Sequence, residues 1–357
     1  MLLSYLWVYM KLSAFIQFIT ILLIILGSSV LLKASQFKVS EYNGSPAIFV
    51  DGKPQFPLFL FEQEICPKDA NIFSQAGFNF YSFIEKTSFL DTGWVGEDKS
   101  DFSTIDRVLE TTSQRVPNGY LLPRIHVWAP DWWIKKHPDQ AIAPVSNVEL
   151  GSHMSFASKL WLKESGDALK RIVRHIEDSK YADRVIGLVI SAGSGGEWHQ
   201  FGPDTSEPMR QAFMDYAKSK YMTVENLHRA WGDNKVTFEN ITIPTEEERK
   251  AGDVGIFRDP ARSRKIMDFW EIFHKTTVRA IDYFCKTVKK ESRGKLLTCV
   301  LYGYMPDMHW ATQDIHHRAA VQAYRLKSVD IFAGPHSYYR RGIGDDGAIR
   351  HYPESLA

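Results

Sequence analysis

Six short apolar runs, each separated from the next by a long connection, constrain this chain more than any other feature. They read PLFLFE (57–62), NFYSFIE (79–85), YLLPRIHVW (120–128), VIGLVISAG (185–193), LLTCVLYGY (296–304) and DIFAGPHSY (330–338). None has a polar alternate face, as expected of parallel strands covered on both sides. Helical spacing fills the gaps: Pro67 to Ala76, stopped by Gly77, then Phe102 to Arg115, Phe156 to Tyr181 and Pro260 to Glu291. The last opens with Asp259 as N-cap and Pro260 at the first helical position. It closes on Lys289, Lys290 and Arg293, the sign of charge that suits a helix C-terminus. Strand and helix alternating in this way predict an α/β fold. The longest connections follow strands and so fall at strand C-terminal ends, the active-site face of a (β/α)8 TIM barrel. A doubly wound sheet is the rival, but no GxGxxG follows an early strand. The late cluster Gly193-Ser194-Gly195-Gly196 runs into Glu197-Trp198 instead of a phosphate-cradling helix.

Two segments precede the first run. Residues 12–34 are almost uncharged and follow Lys11, which reads as a signal peptide or an uncleaved membrane anchor within residues 1–36. The expectation is an exported protein, periplasmic or extracellular. FKVSEY and PAIFV flank Asn43-Gly44, and Asp51-Gly52 follows, so residues 37–56 are predicted to form a β-hairpin ahead of the barrel domain at 57–357. Lys and Arg total 43 against 42 Asp and Glu, which leaves no field for nucleic acid. Three widely spaced cysteines give neither a disulfide framework nor a zinc ligand pair. Oligomeric state is not legible.

Chemistry on a barrel comes from the strand C-termini. Here they carry Glu62, Glu85, Arg124, His126, Trp128, Glu197, Trp198, His199, Tyr302, Tyr304, His336 and Tyr338, with Trp132 just beyond the third strand. Aromatic faces, carboxylates, His and Arg together suit a sugar: rings stack on its C–H face and polar groups bind its hydroxyls. Glycoside hydrolysis needs two carboxyl groups, one of them a general acid. Glu197 is the best acid candidate, because glycines before it let a substrate approach the backbone and Trp198 beside it would raise its pKa. Each residue also has a plainer role open to it. A strand-end Glu forms a structural ion pair, Arg124 an interior salt bridge, and His126 or His336 a structural hydrogen bond. Trp132 packs a loop. His316-His317 falls on a predicted helix, in a capping or supporting role and not as a metal site.

The sequence also resembles the retaining TIM-barrel glycoside hydrolases of the β-galactosidase-like branch, family 42 of clan A. The segments that carry the resemblance are Val50 to Pro54, Pro123 to Trp133, Gly196-Glu197-Trp198, Asn226-Leu227-His228-Arg229-Ala230-Trp231-Gly232, and Asp330 to Tyr338. The resemblance spans roughly residues 45–350. It implies that Glu197 is the acid/base of an enzyme acting on carbohydrate; no cofactor or metal is expected. Many relatives place Asn before this Glu, to bind the sugar 2-hydroxyl; this chain has Gly196.

In that family the nucleophile is a Glu ending strand seven. The six runs already reach residue 338, and one more βα unit takes about 30 residues. The chain is therefore expected to hold about six βα units, an N-terminal piece of a longer enzyme, with the nucleophile beyond its C-terminus. The alternatives are a non-catalytic sugar-binding barrel and, last, a metal-dependent hydrolase. The latter needs His-x-His at strand one, where Glu62 and Glu64 stand instead.

Overall fold

A computed structural model describes residues 36–85, 90–142, 154–200, 202–253, 257–304, 316–334 and 344. The N-terminal apolar segment, His336, Tyr338 and the C-terminal carboxylates lie outside the described residues. No helix among the described residues is long and apolar enough to cross a membrane.

The described residues open with an antiparallel meander of β1 (Phe37–Tyr42), β2 (Ser45–Val50) and β3 (Lys53–Gln55). Both turns have two residues, Asn43-Gly44 and Asp51-Gly52, all four at positive φ. Tyr42 pairs with Ser45 and Val50 with Lys53 across them. This backbone matches the right-handed twist of the flanking strands, which is why Asn-Gly and Asp-Gly stand there. The expected hairpin thus gains a third strand.

All six apolar runs form strands: β4 (Phe59–Phe61), β5 (Phe80–Phe83), then β9 (Tyr120–His126), β10 (Gly187–Ser191), β11 (Leu297–Leu301) and β12 (Ile331–Ala333). The short β6 (Leu90–Asp91) continues the β5 position beside β9, and β7 (Trp94–Gly96) and β8 (Lys99–Ser100) form a small hairpin. The sheet order is β12-β11-β10-β9-β5-β4, parallel throughout, with chain neighbours as sheet neighbours. That is the succession of a TIM barrel, incomplete among the described residues.

Nine α-helices are described. They are α1 (Pro67–Gln75), α2 (Ser103–Arg115), α3 (Asp131–Lys136), α4 (Lys159–Glu177), α5 (Glu207–Tyr221), α6 (Val224–Trp231), α7 (Glu246–Lys250), α8 (Pro260–Glu291) and α9 (Ala320–Ala323). Most of them lie on one face of the sheet, and α5 to α7 lie beyond it. The Asp259 side chain accepts from Ala261 N at 2.9 Å and so caps α8 as expected. His316-His317 lies in a turn ahead of α9 and not on a helix. In that turn His317 bonds Gly303 N, Tyr304 N and Glu197 O, and Ala319, its fourth residue, takes the N-cap position of α9 without a side-chain capping bond.

Strand alternation sorts side chains into two cores. Tyr81, Phe83, Leu121, Ile125, Leu188, Ile190, Val300 and Tyr302 face the helix layer. Phe80, Leu122, Val189, Leu297, Cys299 and Leu301 face the interior, where Phe37, Ile48 and Val50 of the meander join them. Phe37 meets Tyr120, the first residue of β9, at 6.0 Å between rings. The meander therefore closes the N-terminal end of the strands, opposite the mouth.

The helix α8 serves two cores. Its C-terminal half packs Val278, Ile281, Phe284 and Val288 on the sheet. Its N-terminal half packs Ile266, Phe269, Trp270 and Phe273 against α5 and α6, beyond the strands on the mouth side. Asp268, fully buried there, accepts from Lys220 Nζ at 2.8 Å and Trp231 Nε1 at 2.9 Å, and from the Tyr221 hydroxyl. The Asn226–Gly232 segment is thus an anchoring device: Asn226 Nδ2 donates to Tyr221 O at 2.9 Å, Leu227 is core, Trp231 reaches Asp268, and Gly232 ends α6 at φ +69°.

Candidate active site

The loop after β10 is tightly tied. Ser194 N donates to His199 O at 2.7 Å and Trp198 N to Ala192 O at 2.8 Å, so residues 193–198 form a closed excursion from the strand end. Two glycines make it possible. A Cβ at Gly193 would lie 2.3 Å from His199 O, and one at Gly196 would lie 2.4 Å from His126 Nε2. Both residues also stand at positive φ, +73° and +74°. Gly196 and His126 are therefore matched: the imidazole occupies the space that any side chain at position 196 would need.

Glu197 sits half-buried at the end of this excursion. Its carboxylate lies over Gly195, whose ideal Cβ would be 3.4 Å from Oε2. Arg124 reaches the same glycine from inside the sheet, with its guanidinium 3.5 Å from Gly195 O. The backbone of Glu197 is fixed from β11 as well. His317 Nε2 lies 2.6 Å from Glu197 O, while its Nδ1 accepts from Tyr304 N at 3.2 Å and Gly303 N at 3.3 Å. Two backbone N–H groups on Nδ1 put the proton on Nε2, which donates to the Glu197 carbonyl. Burial, with His199 nearby, pushes the His317 pKa down to about 3, which preserves this neutral form.

His126 is fully buried beside Trp128, with ring centroids 4.6 Å apart. Burial first, and then Arg124, hold its pKa well below the usual histidine value. Trp161 Nε1 and Ser165 Oγ of α4 donate to Val127 O at 2.9 and 2.6 Å, pinning the end of β9 between these two rings. His199 is buried, its pKa pushed down to about 4 by burial, and its ring lies 5.8 Å from that of His317. Tyr304 belongs to the interior core, 5.3 Å from the His317 ring. Arg124, His126, Trp128, Glu197, His199 and Tyr304 thus come together at the strand ends.

Other expected site residues stand elsewhere. The Trp198 indole is fully buried in the helix-side core, 5.7 Å from the Phe156 ring and 6.2 Å from Phe284, and its Nε1 donates to Ile190 O at 2.8 Å. Its positive φ of 56° turns the side chain away from that of Glu197, so it forms no apolar wall for the carboxylate. Tyr302 has the helix-side parity and gives its hydroxyl to His316 O at 3.1 Å. Glu85 is ion-paired with Arg107 of α2, and Glu62 is exposed. Trp132 stacks edge-on to Trp94 and lines a cleft of about 330 Å³ between the β7–β8 hairpin and α4, which includes none of the strand-end residues. Sequence reasoning gave His317 only a supporting role. Its link to Glu197 spans 120 positions and has no local signal.

The family profile described as Glyco_hydro_42, beta-galactosidase, matches residues 59–336. The chain belongs to glycoside hydrolase family 42. Among relatives of this family 42 chain, beta-galactosidases LacZ and LacA of Lactobacillus acidophilus are each 25% identical over 194 residues, 52% of this chain and 27% of theirs. The family 42 chain thus spans about a quarter of the length of these relatives. The beta-galactosidase of the psychrophilic Marinomonas ef1 superimposes with a TM-score of 0.53 at 15% identity, over 80% of this chain and 41% of that one. The beta-amylase catalytic domain of Paenibacillus polymyxa gives 0.57 at 14%, over 77% and 74%. At these identities the two structures establish the barrel fold of the family 42 chain.

Proposed function

We propose that this chain carries the acid/base half of a retaining glycosidase acting on β-galactoside-like carbohydrate. Support comes chiefly from one observation: Glu197 stands at the end of β10, inside the matched family segment, and its backbone is held by β11 through His317. In this reading protonated Glu197 gives its proton to the glycosidic oxygen as the C–O bond breaks. A second carboxylate takes the anomeric carbon as a glycosyl ester. Glu197 then removes a proton from the water that releases the sugar.

Of the carboxylates expected at the mouth, Glu85 and Glu62 are placed otherwise, and Asp91, in register with His126, accepts from Gly93 N at 2.7 Å. The nucleophile is assigned to chain that follows β12 in the family-length protein. Arg124, His126, Trp128, His199 and Tyr304 surround the sugar site on this reading. His126 fills the place of the residue before the acid/base and takes over polar contact there. The N-terminal apolar segment directs export, cleaved or retained as an anchor.

The test is Glu197→Gln in a chain extended to family length. Turnover of methyl β-D-galactoside should fall by a factor of about 100 or more, and that of a 2,4-dinitrophenyl galactoside, whose leaving group needs no proton, by far less. Equal loss on both substrates, or none on either, removes Glu197 from the acid/base role.

A further inference from the structure

Beside the N-terminal half of α8, a pocket of about 270 Å³ is lined by Arg264, Met267, Trp270, Glu271, His274 and Arg318. Its polar groups are poorly matched by the protein. His274 is 5% exposed, and among the described residues neither ring nitrogen has a hydrogen-bond partner; nor does Trp270 Nε1, in a residue 8% exposed. Buried donors and acceptors left this way each cost about 1–3 kcal/mol, so such groups mark positions where something else completes them. Among the described residues, neither Arg264 nor Arg318 has a carboxylate within ion-pair distance. The one acid in the lining, Glu271, is engaged by Lys275 at 2.5 Å and Lys220 at 3.2 Å. The pocket therefore carries two uncommitted guanidiniums, an indole N–H and an imidazole, with Met267 and the Trp270 ring as apolar wall.

This set of groups selects a ligand class. Guanidinium forks and an indole N–H are all donors and suit a planar carboxylate. The imidazole differs. Burial, and then Arg318, push its pKa down to about 3, so it is neutral and presents one donor and one acceptor. A ligand hydroxyl answers both. The volume holds one small molecule. The geometry assigns this pocket to a small hydroxycarboxylate, its carboxylate on Arg264, Arg318 and Trp270 Nε1 and its hydroxyl on His274. The pocket abuts the site's support, since Phe273, next to His274, lies 4.0 Å ring to ring from His316, the neighbour of His317. It contains no residue of the proposed sugar site, so its failure would leave the glycosidase reading untouched.

The test follows side-chain nitrogen–proton correlations of the 357-residue chain during titration with sodium lactate and sodium D-glucuronate at constant ionic strength. Sodium acetate and glucose serve as half-ligands, and Trp270→Phe assigns the indole signal. The expected result is saturable movement of the His274 and Trp270 signals with lactate or glucuronate; which of them binds separates a free acid from an acidic sugar. Arg318→Gln, at an exposed side chain, and Arg264→Gln should each weaken binding about tenfold, the scale of one charge-assisted pair. The assignment is overturned by shifts no larger than sodium chloride produces, by variants that bind like the parent, or by glucose binding as well as glucuronate. Acetate binding as tightly as lactate would overturn the hydroxyl contact.

Discussion

His317 donates from Nε2 to the carbonyl of Glu197 at 2.6 Å, across 120 positions of sequence. Its other nitrogen is held by the backbone at the end of β11. One imidazole thus fixes the spacing between the ends of β10 and β11, and with it the place of the candidate acid. His317→Ala should cost about 1–3 kcal/mol by leaving a buried carbonyl and two N–H groups unsatisfied. Urea unfolding checks the cost. In an active, family-length protein the same change should lower kcat more than it raises KM, because it displaces the acid and not the sugar. A change confined to KM would contradict the positioning role.

The pair Gly196 and His126 gives a second expectation. Gly196→Asn places a Cβ 2.4 Å from His126 Nε2 at positive φ, so the variant should lose about 2 kcal/mol or more. Adding His126→Ala should recover part of that loss. A double-mutant cycle measures it, and additive effects would show that the two side chains do not compete for the space.

Trp198 and Trp132 make a third. Trp198→Phe should cost about 1–2 kcal/mol through the lost bond to Ile190 O and the smaller ring. Trp132→Ala should leave galactoside affinity unchanged, since that ring lines a separate cleft. Urea unfolding checks the first and calorimetric titration with a galactoside the second; a large affinity loss in Trp132→Ala would place a sugar subsite on α3.

Acid should destabilise the fold. Burial pushes the pKa of His199 down to about 4 and those of His274 and His317 to about 3. The unfolded values lie near 6.5, so between these limits the unfolded chain binds more protons than the folded one. Stability is complete above pH about 6.5 and falls as pH drops toward 4 and 3, by about 1.4 kcal/mol per pH unit for each such histidine. Urea midpoints at several pH values should show the slope, and His317→Asn should make it shallower. A flat profile would mean these rings are not buried neutral.

The strands and the long helix were legible because their signals are local. Buried parallel strands are continuous apolar runs, and Asp259-Pro260 announces α8. Helices α5 to α7 carried local signals as well, in Ser206, Thr223 and Thr245, each of which caps a helix; Thr245 and Glu248 form a capping box. Those caps carry little weight by themselves because no long apolar stripe follows them. At the site, side-chain parity decides which strand-end residues meet. Alternation moves Glu85 to the helix side, but it does not separate Tyr304 from Tyr302, which share a parity; the backbone turns between them at Gly303, φ +104°. Parity is written in the sequence once a strand's bounds are known, but Trp198 escapes even that rule. Its direction is set by a backbone reversal that only the folded loop defines.

The helix α8 has a thermodynamic consequence. Residues 207–250 form a satellite that, on a separate support, would melt by itself at low free energy. Its core is instead built on Ile266 to Phe273, on the same helix that lays Val278 to Val288 against the sheet. Fraying one half removes the scaffold of the other. The two cores are therefore joined in one cooperative transition, and amide protons in α5 and α6 should exchange as slowly as those in β10 and β11.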